Sequence, residues 1–172
     1  KRVMIQELQR PDVDVMFFHE HGLPHRQYLT ANPDAMSDDE NFEAGKLYLR
    51  NKVRREKDPA AYMKKMCERY NLVDPVWFAG AFDPKVIAQD SIDDLQQGII
   101  LEDIPQIKPN PRFVIFDACY NGDFREPSCV ASEYIFADGK TIACYANSVN
   151  VLQDKPSADL LGLLSCGFSV GQ

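Results

Sequence analysis

The chain has 172 residues, 45% hydrophobic and 26% charged, an ordinary composition for a globular protein that buries a core. Lys plus Arg total 19 against 26 Asp plus Glu, and the formal charge of -7 argues against a general nucleic-acid binder. No apolar run reaches the ~18 residues that a membrane helix needs, and five irregularly spaced cysteines are too few for a disulfide framework.

Residues 2–9 read as a short helix that Arg10-Pro11-Asp12 breaks, and charges stand where a signal peptide needs an apolar region. Any targeting segment is therefore expected to be removed or to lie outside the chain. Val13–Phe18 is a compact apolar run, read as a buried strand. It leads into His19-Glu20-His21-Gly22-Leu23-Pro24-His25, which holds all three histidines. From Ala31 to Gln97 the texture changes. Residues 38–57 and 59–70 are charged and helical, and Met63, Met66, Cys67 and Tyr70 form one apolar stripe at helical spacing. Lys46 to Tyr70 carries nine basic and three acidic residues, a local +6 that leaves -13 on the remainder. Such a run reads as a solvated helix face, with a docking surface for an acidic partner as the other reading. Asn71–Pro84 contains the only tryptophan and reads as a strand or a packed loop.

Residues 112–118 and 141–146 are two further strand-like runs, introduced by Lys108-Pro109-Asn110-Pro111 and Asp138-Gly139. Residues 126–137 between them suit the helix of a βαβ crossover, so the strands should be parallel. Ser157–Cys166 supplies a last helix, with Ser157 as its expected N-cap and Gly167 at its end. The expected architecture is α/β, with 31–97 inserted as a charged, mostly helical block between 1–30 and 98–172. Both chain ends read as interior to a fold, as in a fragment of a larger protein.

In a parallel sheet the loops leaving the carboxyl ends of the strands meet on one edge, where ligands bind in open α/β folds. The three histidines follow one strand, and Asp117-Ala118-Cys119-Tyr120-Asn121-Gly122-Asp123-Phe124 follows another. A thiol needs an imidazole to accept its proton, and a tetrahedral oxyanion needs backbone donors. Cys119 is thus a candidate nucleophile, and the N–H groups of Gly22 and Cys119 are candidate oxyanion donors. Asp117 and Asp123 flank it, in positioning or plain structural roles. Cys67, Cys129, Cys144 and Cys166 read as inert core thiols.

The strand followed by His21-Gly22, and the strand followed by Ala118-Cys119, resemble the caspase-like cysteine peptidases. Within that group Phe116–Phe124, with Lys140–Asn150 downstream, is most similar to gingipain-type peptidases of bacteria. The resemblance covers roughly 1–30 and 98–172. It implies a caspase-like three-layer sandwich around a mostly parallel sheet, and a cysteine endopeptidase in which Cys119 attacks and His21 is the general base. It further implies an S1 pocket bordered by Asn147, Ser148, Val149 and Gln153, a peptide or protein substrate, no cofactor, and an extracellular or cell-envelope location. Three departures stand out: the long block between His21 and Cys119, the absence of upstream strands and of an acidic residue to orient the histidine, and a polar Gln153 where gingipains carry an aromatic S1 wall. A companion segment of the same precursor would supply the missing strands.

Two other readings stay open. His19-x-His21 is also the start of some zinc sites, which would make the chain a metal-dependent hydrolase. A non-catalytic caspase-like module for binding or assembly is the other. His19 and His25 are otherwise expected to be partly exposed loop histidines.

Overall fold

The computed structural model describes residues 1–28, 39–73, 76–152 and 156–171. The chain divides into two compact units, Lys1–Tyr28 with Ile99–Gln172, and Leu29–Gly98. In chain order, α1 (Arg2–Leu8) precedes β1 (Val15–His19) and a hairpin of β2 (Gly22–Leu23) and β3 (Arg26–Tyr28). Three helices follow, α2 (Asp39–Val53), α3 (Pro59–Tyr70) and α4 (Pro84–Asp94). The chain then forms β4 (Gly98–Ile100), α5 (Ile104–Ile107), β5 (Phe113–Asp117), α6 (Val130–Phe136), β6 (Ala143–Ala146) and α7 (Pro156–Ser165).

The protein is α/β. β5 lies between β1 and β6 and is parallel to both, and β2, β3 and β4 form a small separate antiparallel sheet. Every residue of β5 is buried, as its unbroken apolar run requires of a central strand. β1 differs from the expected buried strand. It spans Val15–His19, with Val15 and Phe17 exposed and only Phe18 buried. As an edge strand of this sheet it buries one side alone, where Met16 and Phe18 meet the core. Phe116 anchors that core, with Phe18 stacked at 5.7 Å and Tyr134 edge-on at 5.0 Å between ring centroids.

Two helix starts depart from expectation. α6 begins at Val130, not near Glu126, because its first N–H groups bind outside the helix: Val130 N–H donates to Pro24 O at 2.8 Å and Ala131 N–H to Asn121 O at 2.9 Å. α7 begins at Pro156, which puts Ser157 inside the first turn. Ser157 is therefore no N-cap; its buried hydroxyl donates to Asp117 Oδ1 at 3.2 Å.

In the second unit, Leu49, Val53, Met66, Trp77, Phe78 and Ala81 form a core against which Met63, Cys67 and Tyr70 of the expected stripe pack. Of the expected strand or packed loop over Asn71–Pro84, residues 76–82 form turns that contribute the buried Trp77 and Phe78. Two Asp-Pro pairs start helices: Asp58 accepts the Ala61 N–H and Asp83 the Lys85 N–H, each followed by proline in the first turn. Among the described residues from 39 to 97 there is no strand. The basic run is only partly a solvated face. Arg55, Lys57, Lys64, Lys65 and Arg69 are exposed, whereas Arg50 and Arg54 turn inward onto buried Asp90, each 2.5 Å from one of its oxygens. Burial works to raise the Asp90 carboxyl, but the hydrogen bonds from Arg50 and Arg54 outweigh it and hold it below the usual carboxylate range. Among the described residues no helix is long and apolar enough to cross a membrane.

Asp90→Ala leaves two inward guanidinium groups without their shared carboxylate and should cost about 3–5 kcal/mol. Urea unfolding followed by Trp77 fluorescence reads this unit, and an unshifted midpoint would show that the pairs contribute nothing to it.

Candidate active site

The β1–β5 register ends by pairing His19 with Asp117. Across that pair His19 Nδ1 lies 2.6 Å from Asp117 Oδ2. His19 is thus at a strand end with an acidic partner, rather than in a loop, although its side chain remains 58% exposed. A carboxylate that orients an imidazole is present, but the imidazole it orients is that of His19.

His21 is exposed, and its carbonyl accepts the Tyr28 N–H at 3.0 Å. Pro24 and His25 form the two-residue turn of the hairpin, where His25 is exposed as expected of a loop histidine. In such a hairpin the pair Gly22 and Gln27 exchanges no hydrogen bonds, so the Gly22 N–H points away from β3. Gly22 itself presses on the loop that carries Cys119. A Cβ there would overlap the Cys119 carbonyl oxygen and come within 2.6 Å of Asn121 Oδ1. Only glycine allows this approach, and it brings His21-Gly22 and Cys119 together.

Cys119 is half-buried. Its thiol donates to Asn150 Oδ1 at 2.9 Å and lies 3.4 Å from Val151 O, while the Val151 N–H donates to Sγ at 3.4 Å. Among the described residues no hydrogen bond joins Sγ to His21, and the Cys119 N–H donates to no acceptor. Tyr120 then adopts a left-handed φ of 57°, a conformation costing a bulky residue roughly 1–2 kcal/mol. It reverses the chain directly after Cys119.

The loop is tied to the residues after β6. Tyr120 N–H donates to Val149 O at 3.2 Å, and Gly122 N–H to Asn147 O at 3.0 Å. Asn147 Nδ2 donates to Ala118 O at 3.1 Å, so this half-buried side chain braces the loop. Arg125 bridges Asp123, at 2.7 Å, and the Ser148 carbonyl, at 2.9 Å, which gives Asp123 a structural partner. Ser148 and Val149 are exposed beside the loop, and Gln153 lies outside the described residues.

Asn121 is a residue that the sequence reading missed. It is fully buried, and its Nδ2 donates to Leu23 O at 2.7 Å and Arg26 O at 3.1 Å, clamping the hairpin turn to the Cys119 loop. Its place in Ala-Cys-x-Asn-Gly was visible, but no local spacing reveals a partner 98 residues away. Asn150 and Val151 lie within the stretch 147–153 expected to border the S1 pocket, but their contact with the Cys119 sulfur was not foreseen. Glu20 was missed too. Its carboxyl accepts Gln27 Nε2 at 2.7 Å, and Gln27 Oε1 accepts the Tyr134 hydroxyl at 2.5 Å, with Gln27 and Tyr134 both fully buried. Desolvation pushes Glu20 up to about 8 against the lowering effect of the Gln27 bond.

Of the other cysteines, Cys129 is buried at the N-cap of α6 and Cys67 packs on the second unit's core. Burial pushes the Cys144 thiol up to about 12. Cys166 is exposed rather than a core thiol, because α7 ends at Ser165 and the chain turns away at Gly167, where φ is 89°. Among the described residues no group of three or more His, Cys, Asp or Glu side chains could hold a metal ion. Comparisons with protein-family models, curated proteins and solved structures find no match.

Gly22→Ala should lower stability by about 1–3 kcal/mol through overpacking against Cys119 and Asn121; thermal unfolding checks this, and an unchanged midpoint would mean the loop gives way freely. Glu20 yields a pH test. A carboxyl raised on folding contributes stability that is fully present below its unfolded value, near ~4.3, and is lost as pH rises toward its folded value. Wild-type stability should therefore fall between pH 5 and 8 relative to Glu20→Gln, and equal slopes would remove Glu20 as the cause.

Proposed function

We propose that the chain is a gingipain-type cysteine endopeptidase on a caspase-like, three-layer α/β core. The observation that supports this reading is the close approach of Gly22, which follows His21 in the chain, to the Cys119 carbonyl beyond the carboxyl ends of β1 and β5. His21 takes the thiol proton, and the sulfur attacks the peptide carbonyl carbon. The N–H groups of Gly22 and Cys119 receive the oxyanion. The intermediate collapses with loss of the amine, which takes the proton from His21, and water then hydrolyses the thioester. In this reading the exposed Ser148 and Val149 border the substrate, and Asn147 braces the Cys119 loop beside them. A peptide or protein substrate, an extracellular or cell-envelope location and a companion segment completing the sheet belong to the same reading.

A fluorescent thiol-directed probe and peptide cleavage test it together. Cys119→Ala should abolish both signals, and His21→Ala should lower cleavage by roughly 10²-fold or more, the usual contribution of a general base. His19→Ala should retain most activity. A larger loss with His19→Ala than with His21→Ala would transfer the base role to the His19–Asp117 pair, and labelling centred on another cysteine would end the proposal.

A further inference from the structure

Among the described residues, all hydrogen bonds of the Cys119 sulfur come from Asn150 and Val151, on the segment after β6. They differ in sense. The Asn150 carboxamide oxygen and the Val151 carbonyl accept from S–H, whereas the Val151 N–H donates to sulfur. Asn150 is exposed, and the thiol is the partner its side chain has among the described residues. Its amide can therefore turn over without breaking another bond. A primary amide is suited to both protonation states of a thiol, because its oxygen accepts from S–H and its NH₂ donates to S⁻.

We propose that Asn150 is a catalytic residue that, with the Val151 N–H, holds the Cys119 sulfur through its ionisation. This rests on the cysteine-peptidase reading and adds a pair of groups to it. In the resting state S–H donates to Asn150 Oδ1. When the S–H bond breaks, its proton passes to His21, the electron pair stays on sulfur, and the Asn150 amide rotates to present Nδ2–H. Two N–H donors then face the anion, and hydrogen bonds to the charged form favour that form. The segment can do this because it is held just upstream, by the Tyr120 N–H on Val149 O and the Gly122 N–H on Asn147 O.

The test is the rate of iodoacetamide labelling at Cys119 in the full chain, from pH 6 to 10, read by peptide mass mapping for wild type, Asn150→Ala, Asn150→Asp and Leu152→Ala. Asn150→Ala should slow labelling about tenfold at pH 7, the scale of one charge-assisted hydrogen bond. The gap should close toward pH 10, where ionisation no longer limits the reaction. Asn150→Asp, which offers a negative charge and no donor, should be slower still at pH 7. Leu152→Ala, 91% exposed beyond the segment, should match wild type. Faster labelling of Asn150→Ala at every pH would make Asn150 a cover over the sulfur and overturn the proposal, as would an unchanged rate or an equal slowing at all pH values. Peptide cleavage by the wild type is read in parallel. Absent cleavage with the expected labelling pattern removes the endopeptidase reading alone, whereas Cys119-dependent cleavage with wild-type labelling of Asn150→Ala removes the Asn150 role alone.

Discussion

Five consecutive parallel pairs, from Val15 with Phe113 to His19 with Asp117, determine where the other parts of the site lie. They bring two strand ends separated by 98 residues level with each other, so that the hairpin and the Cys119 loop leave from one edge. The register is set by side-chain alternation. Phe18 faces inward to stack on Phe116, and His19 faces the other side toward Asp117. A slip of one residue would turn Phe18 toward the site and carry His19 into the apolar core, which burial energetics oppose.

Beyond the strand ends the chain is held by side-chain amides and helix-end donors in place of a ladder. Loop carbonyls need partners when water is excluded, and here Asn121 serves Leu23 and Arg26 while Asn147 serves Ala118. The first two N–H groups of α6 complete the bracing by binding Pro24 and Asn121. Glycine occurs where two backbones meet: Gly22 on Cys119, and Gly122, whose added Cβ would come within 2.7 Å of Ala146 Cβ. Such bracing ties the His21-Gly22 turn and the Cys119 loop to each other although both lie outside the strands.

Neighbouring carboxyls acquire different characters from their partners. Asp117 faces an imidazole and a hydroxyl, whereas Glu20 leans inward on the neutral Gln27 and is pushed up to about 8 by desolvation. In the second unit two guanidinium groups have the opposite effect on Asp90. Adjacent residues 19 and 20 thus face different partners: the His19 imidazole meets the Asp117 carboxylate, and the Glu20 carboxyl meets a neutral amide.

The sequence by itself determined the features that depend on near neighbours. The helix from Pro59 and the apolar runs within 112–118 and 141–146 were legible, the runs as parallel strands from the helix between them, whereas the helix that Asp83-Pro84 starts was not read. The meeting of His21-Gly22 with Cys119 could be argued from strand-end topology. Only the tertiary structure decided that Asn121 clamps the hairpin, that Ser157 serves Asp117 instead of capping its helix, that Arg50 and Arg54 turn inward, and that Asn150 and Val151 hold the sulfur. The physical reason is range. Capping, turn chemistry and periodicity act within about four residues, whereas these contacts join positions from 31 to 98 residues apart and exist once the sheet has aligned them.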